Sequence, residues 1–111
     1  MRRMPVVCGR LLLVDDDALV RTLLRRRLGA LGWTVTARAS AGAALAALEE
    51  SSVSLVLSDV HMPGMSGLEL CAEVQKRVGA PPVVLMSGLV DASMHRAARE
   101  RGAAAVLRKP L

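Results

Sequence analysis

Aromatic residues are nearly absent from this chain of 111 residues, which has no Phe, no Tyr and one Trp. The core must therefore be built from aliphatic side chains, which Ala, Leu and Val supply. Proteins that bind single-stranded nucleic acid use aromatic rings as stacking platforms. Since the basic residues are also mostly scattered, the net charge of +5 indicates a solvated surface, and we expect no direct nucleic-acid binding by this domain.

Cysteine and long apolar runs are also scarce. Cys8 and Cys71 are far apart and lack metal-ligand spacing, so we expect reduced thiols in a cytoplasmic protein. No stretch is long enough to cross a membrane, and the basic start of the chain meets acidic residues too soon for a signal peptide. The length predicts one domain with one core.

Strand-like and helix-like patterns alternate along the rest of the chain. The strand patterns lie at 10–15, 33–39, 53–59, 81–88 and 103–110. The helix between the third and fourth strands is predicted to begin after Ser66 and to align Leu70, Val74 and Val78. Strands that alternate with helices predict a doubly wound parallel sheet with helices on both faces.

Polar residues collect at the carboxyl ends of these strands, where such sheets bind ligands. They are Asp15, Asp16 and Asp17 after the first strand, Asp59 after the third, Ser87 after the fourth and Lys109 after the fifth. Carboxylates brought this close repel one another. A divalent cation relieves the repulsion, and Mg²⁺ prefers such oxygen ligands.

These residue types permit phosphoryl transfer. We expect Asp16 and Asp59 to bind the cation directly and Asp15 to bind it through water. Lys109 offers a positive charge to a phosphoryl oxygen, and Ser87 offers a hydroxyl group. Asp59 can then act as the nucleophile that forms an acyl phosphate.

Two simpler interpretations compete with this one. The acidic triplet could only cap a helix and Ser87 could only form a turn, while His61 and His95 are expected to be exposed and without function. The stretch DVHMPG also fits D-x-H-x-x-G, a cobalamin-binding pattern. In that family the His loop follows the first strand and a Gly-Gly pair comes later. Here the loop follows the third strand, no Gly-Gly pair is present, and the acidic triplet and Lys109 would be unexplained.

Four motifs, in order, resemble those of response-regulator receiver domains: LLLVDDD, DVHMPGMSG, VVLMSG and GAAAVLRKP. The resemblance implies a flavodoxin-like five-stranded sheet of order 2-1-3-4-5 and a cis bond between Lys109 and Pro110. It implies Mg²⁺ or Mn²⁺ as cofactor, with the backbone carbonyl of His61 as a ligand beside the aspartates.

The resemblance also implies a signalling domain rather than an enzyme. Asp59 would accept a phosphoryl group from a sensor histidine kinase and switch a surface for an unknown downstream protein, while the domain promotes its own phosphorylation and dephosphorylation. The alternative is a degenerate receiver that serves only as a protein-interaction module. No site residue is missing, so the sequence favours a competent site.

The chain departs from the family pattern at two places. Val106 stands where most receivers carry the aromatic ring that couples to the switch residue Ser87. Residues 1–111 are expected to be a single receiver domain truncated after the fifth strand, because a fifth helix normally follows Lys109 and Pro110. That helix would share a face with the first, so we expect a fragment of a longer protein or a two-fold homodimer through the first helix and last strand, with Val106 exposed there.

Overall fold

Five strands and four helices alternate in the computed structural model, which describes residues 9–111; Cys8 lies outside the described residues. The elements are β1 (Gly9–Val14), α1 (Ala18–Ala30), β2 (Trp33–Arg38), α2 (Ala41–Glu50), β3 (Leu55–Asp59), α3 (Gly67–Gln75), β4 (Val83–Ser87), α4 (Ala92–Glu100) and β5 (Ala105–Arg108). All strand pairs are parallel, in the order β2-β1-β3-β4-β5. The predicted doubly wound, flavodoxin-like sheet is therefore confirmed.

The helices begin where short polar side chains cap them. Asp17 accepts hydrogen bonds from the backbone N–H groups of the first turn of α1, and Ser40 and Asp91 cap α2 and α4. Ser66 and Glu69 form a reciprocal capping box at the start of α3. Each cap follows the carboxyl end of a strand, so the loops that join strand to helix are short and placed at one edge of the sheet.

The sheet separates two apolar clusters of unequal size. Alternating side chains of β1 point to opposite faces: Leu12 and Val14 join a large cluster with α2, α3 and α4, whereas Leu11 and Leu13 join a smaller one with α1. Within residues 9–111 the four helices are thus divided three to one between the faces, and none lies between β5 and Leu111. No helix of this range is long and apolar enough to span a membrane.

Helix α3 is shorter than its apolar pattern predicts. It ends at Gln75, and Val78, which we expected in line with Leu70 and Val74, is fully exposed beyond it. Beyond Gln75 the backbone N–H groups of Lys76 and Arg77 donate three residues back instead of four, so the last turn tightens and the helix ends. Gly79, with a positive φ of 66°, then turns the chain ahead of two prolines. The expected helical position of Val78 was therefore wrong.

The register of β5 corrects the predicted position of Val106. Val106 pairs with Leu85 and packs against the large cluster, on the face covered by α4. Leu107 pairs with Met86 and so faces α1, with 41% of its surface exposed. On the face of α1, β5 therefore presents Leu107 and Ala105, which pairs with Val84 of the small cluster, and not Val106. The two-fold dimer through α1 and β5 stays a prediction.

Candidate functional site

The predicted acidic residues converge at the carboxyl edge of the sheet. Asp15 follows β1 directly, Asp16 is next in the chain, and Asp59 is the last residue of β3. One carboxylate oxygen from each lies within 4.8 Å of the others. Asp15 and Asp59 are buried and Asp16 is exposed, so the group opens to solvent on the side of Asp16.

Lys109 bridges two of these carboxylates. Its Nζ lies 3.0 Å from Oδ2 of Asp15 and 3.4 Å from Oδ2 of Asp59. Its backbone N–H donates to the carbonyl of Ser87 at 2.8 Å, which extends the pairing of β5 with β4 up to the site. The Lys109–Pro110 bond is cis, as the resemblance implied. The ammonium group thus neutralises part of the negative charge of the buried aspartates.

Three hydrogen bonds fix the position of Asp15. Its Oδ2 accepts from Lys109, and its Oδ1 accepts from the backbone N–H of Asp17 at 2.9 Å. Its carbonyl accepts from Nη1 of Arg21 at 2.8 Å, a contact that no pattern in the sequence indicated. The donors to the two carboxylate oxygens of Asp15 lie within 3.0 Å, whereas those to Asp59 lie at 3.4 Å, so Asp15 is less available for direct metal contact than Asp59.

The backbone around Asp59 is fixed by close packing. Its carbonyl accepts from the buried Ser58 hydroxyl at 2.9 Å, and its Oδ1 accepts from the backbone N–H of His61 at 3.4 Å. At Gly67, the first residue of α3, an added Cβ would overlap the Asp59 carbonyl oxygen. No other residue type allows α3 to begin this close to β3. The glycine in the predicted loop motif therefore positions the candidate acceptor.

Burial and the charges of the site shift the pKa values of Asp59 and Lys109. Burial raises the pKa of the Asp59 carboxyl and the negative charge of Asp15 raises it further, whereas Lys109 and the His61 N–H oppose the shift without cancelling it. Burial alone would lower the pKa of Lys109, but its hydrogen bond to Asp15 and the charges of Asp59 and Asp15 outweigh that effect and raise it. Ionisation of Asp59 therefore costs more free energy here than in water, and added positive charge would lower that cost.

This donor set fits a hard divalent cation. Carboxylate oxygens at mutual distances below 5 Å are ligands that Mg²⁺ and Mn²⁺ prefer. A cation beside Asp59 and Asp16 would also relieve the repulsion that raises the pKa of Asp59. His61 is exposed, and its backbone lies next to the Asp59 carboxylate; its carbonyl as a ligand stays a prediction.

Ser87 is buried at the end of β4, and the loop holds its hydroxyl group. Its Oγ donates to the carbonyl of Leu89 at 3.0 Å and accepts from the backbone N–H of the same residue at 3.3 Å. Asp59 pairs with Met86, the residue before Ser87, so the hydroxyl lies one strand away from the carboxylate. Val106 pairs with Leu85 on β4 but points to the face of α4, away from α1.

Comparison with known proteins agrees with this architecture. Residues 11–111 match the family described as the response regulator receiver domain. The chain is 37% identical over 97 residues to the DNA-binding transcriptional regulator NtrC of Salmonella typhimurium, covering 87% of this chain and 21% of that protein. It is 36% identical over 102 residues to the transcriptional regulatory protein FixJ of Bradyrhizobium diazoefficiens, covering 92% and 50%. The chain thus spans about a fifth of NtrC and half of FixJ.

Solved structures share the fold. The chemotaxis protein CheY4 of Vibrio cholerae superposes with a TM-score of 0.87 at 26% identity, covering 93% of this chain and 88% of that one. NtrX from Brucella abortus superposes with a TM-score of 0.85 at 31% identity, covering 95% of this chain and 24% of that one.

Proposed function

Because this chain belongs to the response-regulator receiver family, we propose that Asp59 accepts a phosphoryl group from a sensor histidine kinase in a reaction that requires Mg²⁺ or Mn²⁺. One observation carries the proposal: the carboxylates of Asp15, Asp16 and Asp59 meet the ammonium group of Lys109 at the edge of the sheet where the strands end. The group is assembled from residues at the carboxyl ends of three different strands, β1, β3 and β5.

Asp59 is the nucleophile in this proposal. One of its carboxylate oxygens attacks the phosphorus atom of the donor and forms the acyl phosphate. The bond from phosphorus to the donor nitrogen breaks, and the imidazole of the kinase leaves with the bonding electron pair. The raised pKa of Asp59 makes its ionised form energetically costly. Added positive charge near the carboxylate therefore favours the nucleophilic state.

The other charged residues bind and orient. Asp16 and Asp59 would hold the divalent cation directly, Asp15 would hold it through water, and the His61 carbonyl would complete the protein ligands. When bound, the cation neutralises charge on the carboxylates and on the phosphoryl oxygens. Lys109 already contacts Asp59, so its ammonium group can move to a phosphoryl oxygen with little displacement.

Ser87 is the proposed switch. Its hydroxyl is bound to the backbone of Leu89 and must release that residue to donate to a phosphoryl oxygen. The release frees the loop that leads into α4. Val106 offers no aromatic ring to follow the hydroxyl, so the change is transmitted by the loop and α4 to a downstream protein. Receiver domains pair with sensor histidine kinases, and we place this one with its kinase in the cytoplasm.

Labelling with a small phosphodonor tests the acceptor. Incubated with acetyl phosphate and Mg²⁺, the chain should gain one phosphoryl group by intact-mass spectrometry, with loss of acetate. Asp59→Asn and EDTA should each abolish the gain. Asp91→Asn is the matched control, because Asn also caps helices and Asp91 caps α4 outside the acidic group.

Two results would overturn the proposal. Labelling of Asp59→Asn at the wild-type rate would place the acceptor elsewhere. A wild-type chain that is folded yet unlabelled by acetyl phosphate and by carbamoyl phosphate would indicate the alternative, a degenerate receiver that acts only as a protein-interaction module.

A further inference from the structure

Arg21, near the start of α1, reaches back to the strand end that carries the acidic residues. Its half-buried side chain donates from Nη1 to the carbonyl of Asp15 at 2.8 Å. Its backbone N–H donates to the carbonyl of Asp17 at 3.0 Å. A single residue therefore holds the chain on both sides of Asp16.

The position of the Asp16 carboxylate depends on this backbone. Asp16 is exposed, and within residues 9–111 its carboxylate takes part in no hydrogen bond or ion pair. The carbonyl that Arg21 binds belongs to the planar peptide group between Asp15 and Asp16. The hydrogen bond from Arg21 therefore fixes the plane from which Asp16 extends.

The guanidinium group of Arg21 does this without occupying the acidic group. A guanidinium binds carboxylates more strongly than neutral acceptors, yet the ion pairs of Asp15 and Asp59 are both made by Lys109. Arg21 donates to a backbone carbonyl instead. It thus orders the backbone and leaves the oxygens of the three clustered carboxylates to other ligands.

We propose that Arg21 is a positioning residue for the divalent cation. Its hydrogen bond to the Asp15 carbonyl keeps the Asp16 carboxylate beside that of Asp59, so that both can bind the cation. The role assigned to Arg21 rests on the proposed function in one respect, the binding of Mg²⁺ or Mn²⁺ by the acidic group. The partners that orient metal ligands typically contribute about 10-fold to 100-fold to metal affinity.

The rival role for Arg21 is purely electrostatic. A guanidinium group near a cation repels it, so a residue that acted only through its charge would weaken metal binding. Removal of the side chain would then tighten binding, whereas loss of a positioning contact weakens it. The two roles therefore predict changes of opposite sign.

Mn²⁺ binding to the 111-residue chain measures this sign, with electron paramagnetic resonance reporting free Mn²⁺. Arg21→Met removes the donor and the charge but keeps an unbranched side chain that suits a helix, and it should weaken Mn²⁺ binding about tenfold. Arg21→Lys keeps the charge and a shorter donor, so its affinity should lie between the two. Arg25→Met removes the same charge at an exposed position one turn further along α1 and should not weaken binding.

A double-mutant cycle identifies the residue through which Arg21 acts. Arg21→Met should weaken Mn²⁺ binding far less in the Asp16→Asn background than in the wild type, because the carboxylate that it positions is already lost. In labelling with acetyl phosphate, Arg21→Met should need about tenfold more Mg²⁺ for half the maximal rate and should reach the wild-type rate at saturating Mg²⁺. Urea unfolding in EDTA establishes that each variant is folded under the conditions of measurement.

Three results would overturn the proposal: Mn²⁺ affinity in folded Arg21→Met that equals or exceeds the wild-type value, equal losses of affinity in the two backgrounds, and a wild type that binds no Mn²⁺. Because Mn²⁺ affinity is measured without a phosphodonor, failure of the proposed function gives a different result. A wild type that binds Mn²⁺ through Asp16 and Arg21 but is not labelled at Asp59 would overturn the proposed function and leave the role of Arg21 intact.

Discussion

The two faces of the central sheet are covered to different extents. Among residues 9–111, fourteen buried residues form one cluster on the face of α2, α3 and α4, whereas five do so on the face of α1. Most of the burial that stabilises the fold is therefore on the first face. The second face retains exposed leucines and the arginines of α1. The acidic site lies at the edge where both faces end, so it is built by the strands rather than by either layer of helices.

The largest expected effect is a difference in the loss of stability between truncations of two adjacent residues of β4. Leu85 and Met86 are both fully buried but point to opposite faces. Leu85→Ala should cost about 4 kcal/mol of unfolding free energy, because it leaves a cavity in the closed layer. Met86→Ala should cost about 2 kcal/mol, near the low end for such changes, since α1 alone covers it and can adjust. Urea unfolding measures both, and equal costs would mean that the faces are equally closed.

A charge on β5 gives a smaller and more specific contrast. Val106→Asp should cost about 2 kcal/mol, because it places a carboxylate against the large cluster. Leu107→Asp, on the half-covered face, should cost less than about 1 kcal/mol. Thermal unfolding of the two variants compares them directly. A greater loss for Leu107→Asp would show that the register of β5 is shifted by one residue.

At the carboxyl edge of the sheet, the expected effect of Asp59→Asn on the free energy of unfolding depends on pH. A pKa raised by folding means that protonated Asp59 is favoured in the folded state. Its ionisation therefore lowers the free energy of unfolding as pH rises through the interval between the unfolded and the folded pKa. The Asp59→Asn variant does not lose this stability as pH rises, because asparagine does not ionise. Without metal, the variant should match the wild type below about pH 4 and exceed it by about 1 kcal/mol at pH 7.

Chemical denaturation between these pH values, in EDTA, measures the difference. A variant less stable than the wild type at pH 7 would show that the contact with Lys109 outweighs burial and the charge of Asp15. With Mg²⁺ added, the wild type should gain stability and Asp59→Asn should gain less, because one ligand is lost.

The smallest expected effect is at the far end of the sheet. Trp33 begins β2 and pairs with Gly9, at the edge opposite the aspartates. Its fluorescence should stay nearly constant when Mg²⁺ or acetyl phosphate is added, which a simple titration measures. A large quench would mean that the site is coupled through the sheet to the face of α1, against which Trp33 packs.

Much of this architecture could be predicted because it depends on local patterns. Continuous apolar strands, the capping residues Asp17 and Ser66, and polar residues at the strand ends are all visible in the sequence. Parallel topology brings the strand ends together. Contacts set by tertiary packing were not visible. Arg21 reaches the Asp15 carbonyl from the next helix, and no periodicity encodes such a contact.

The predicted positions of two side chains, Val106 and Val78, were wrong. A strand alternates its faces at every residue, so a register uncertain by one placed Val106 instead of Leu107 on the side of α1. The helical period alone continued α3 to Val78, although the helix ends at Gln75 and the chain then turns at Gly79. The predicted convergence of the polar residues was insensitive to these errors, because it depends on the carboxyl ends of the strands. Those ends were predicted to within one residue for the first four strands and to within two for the fifth.

Residue-level location of the phosphoryl group tests the central claim most directly. The chain is treated with acetyl phosphate, with and without Mg²⁺, and then with borohydride, which reduces an acyl phosphate of aspartate to homoserine. Tandem mass spectrometry then identifies the modified position. Homoserine is expected at position 59 alone, and only when Mg²⁺ and the donor are both present. Homoserine at position 15 or 16, or a phosphorylated chain with Asp59 unmodified, would contradict it.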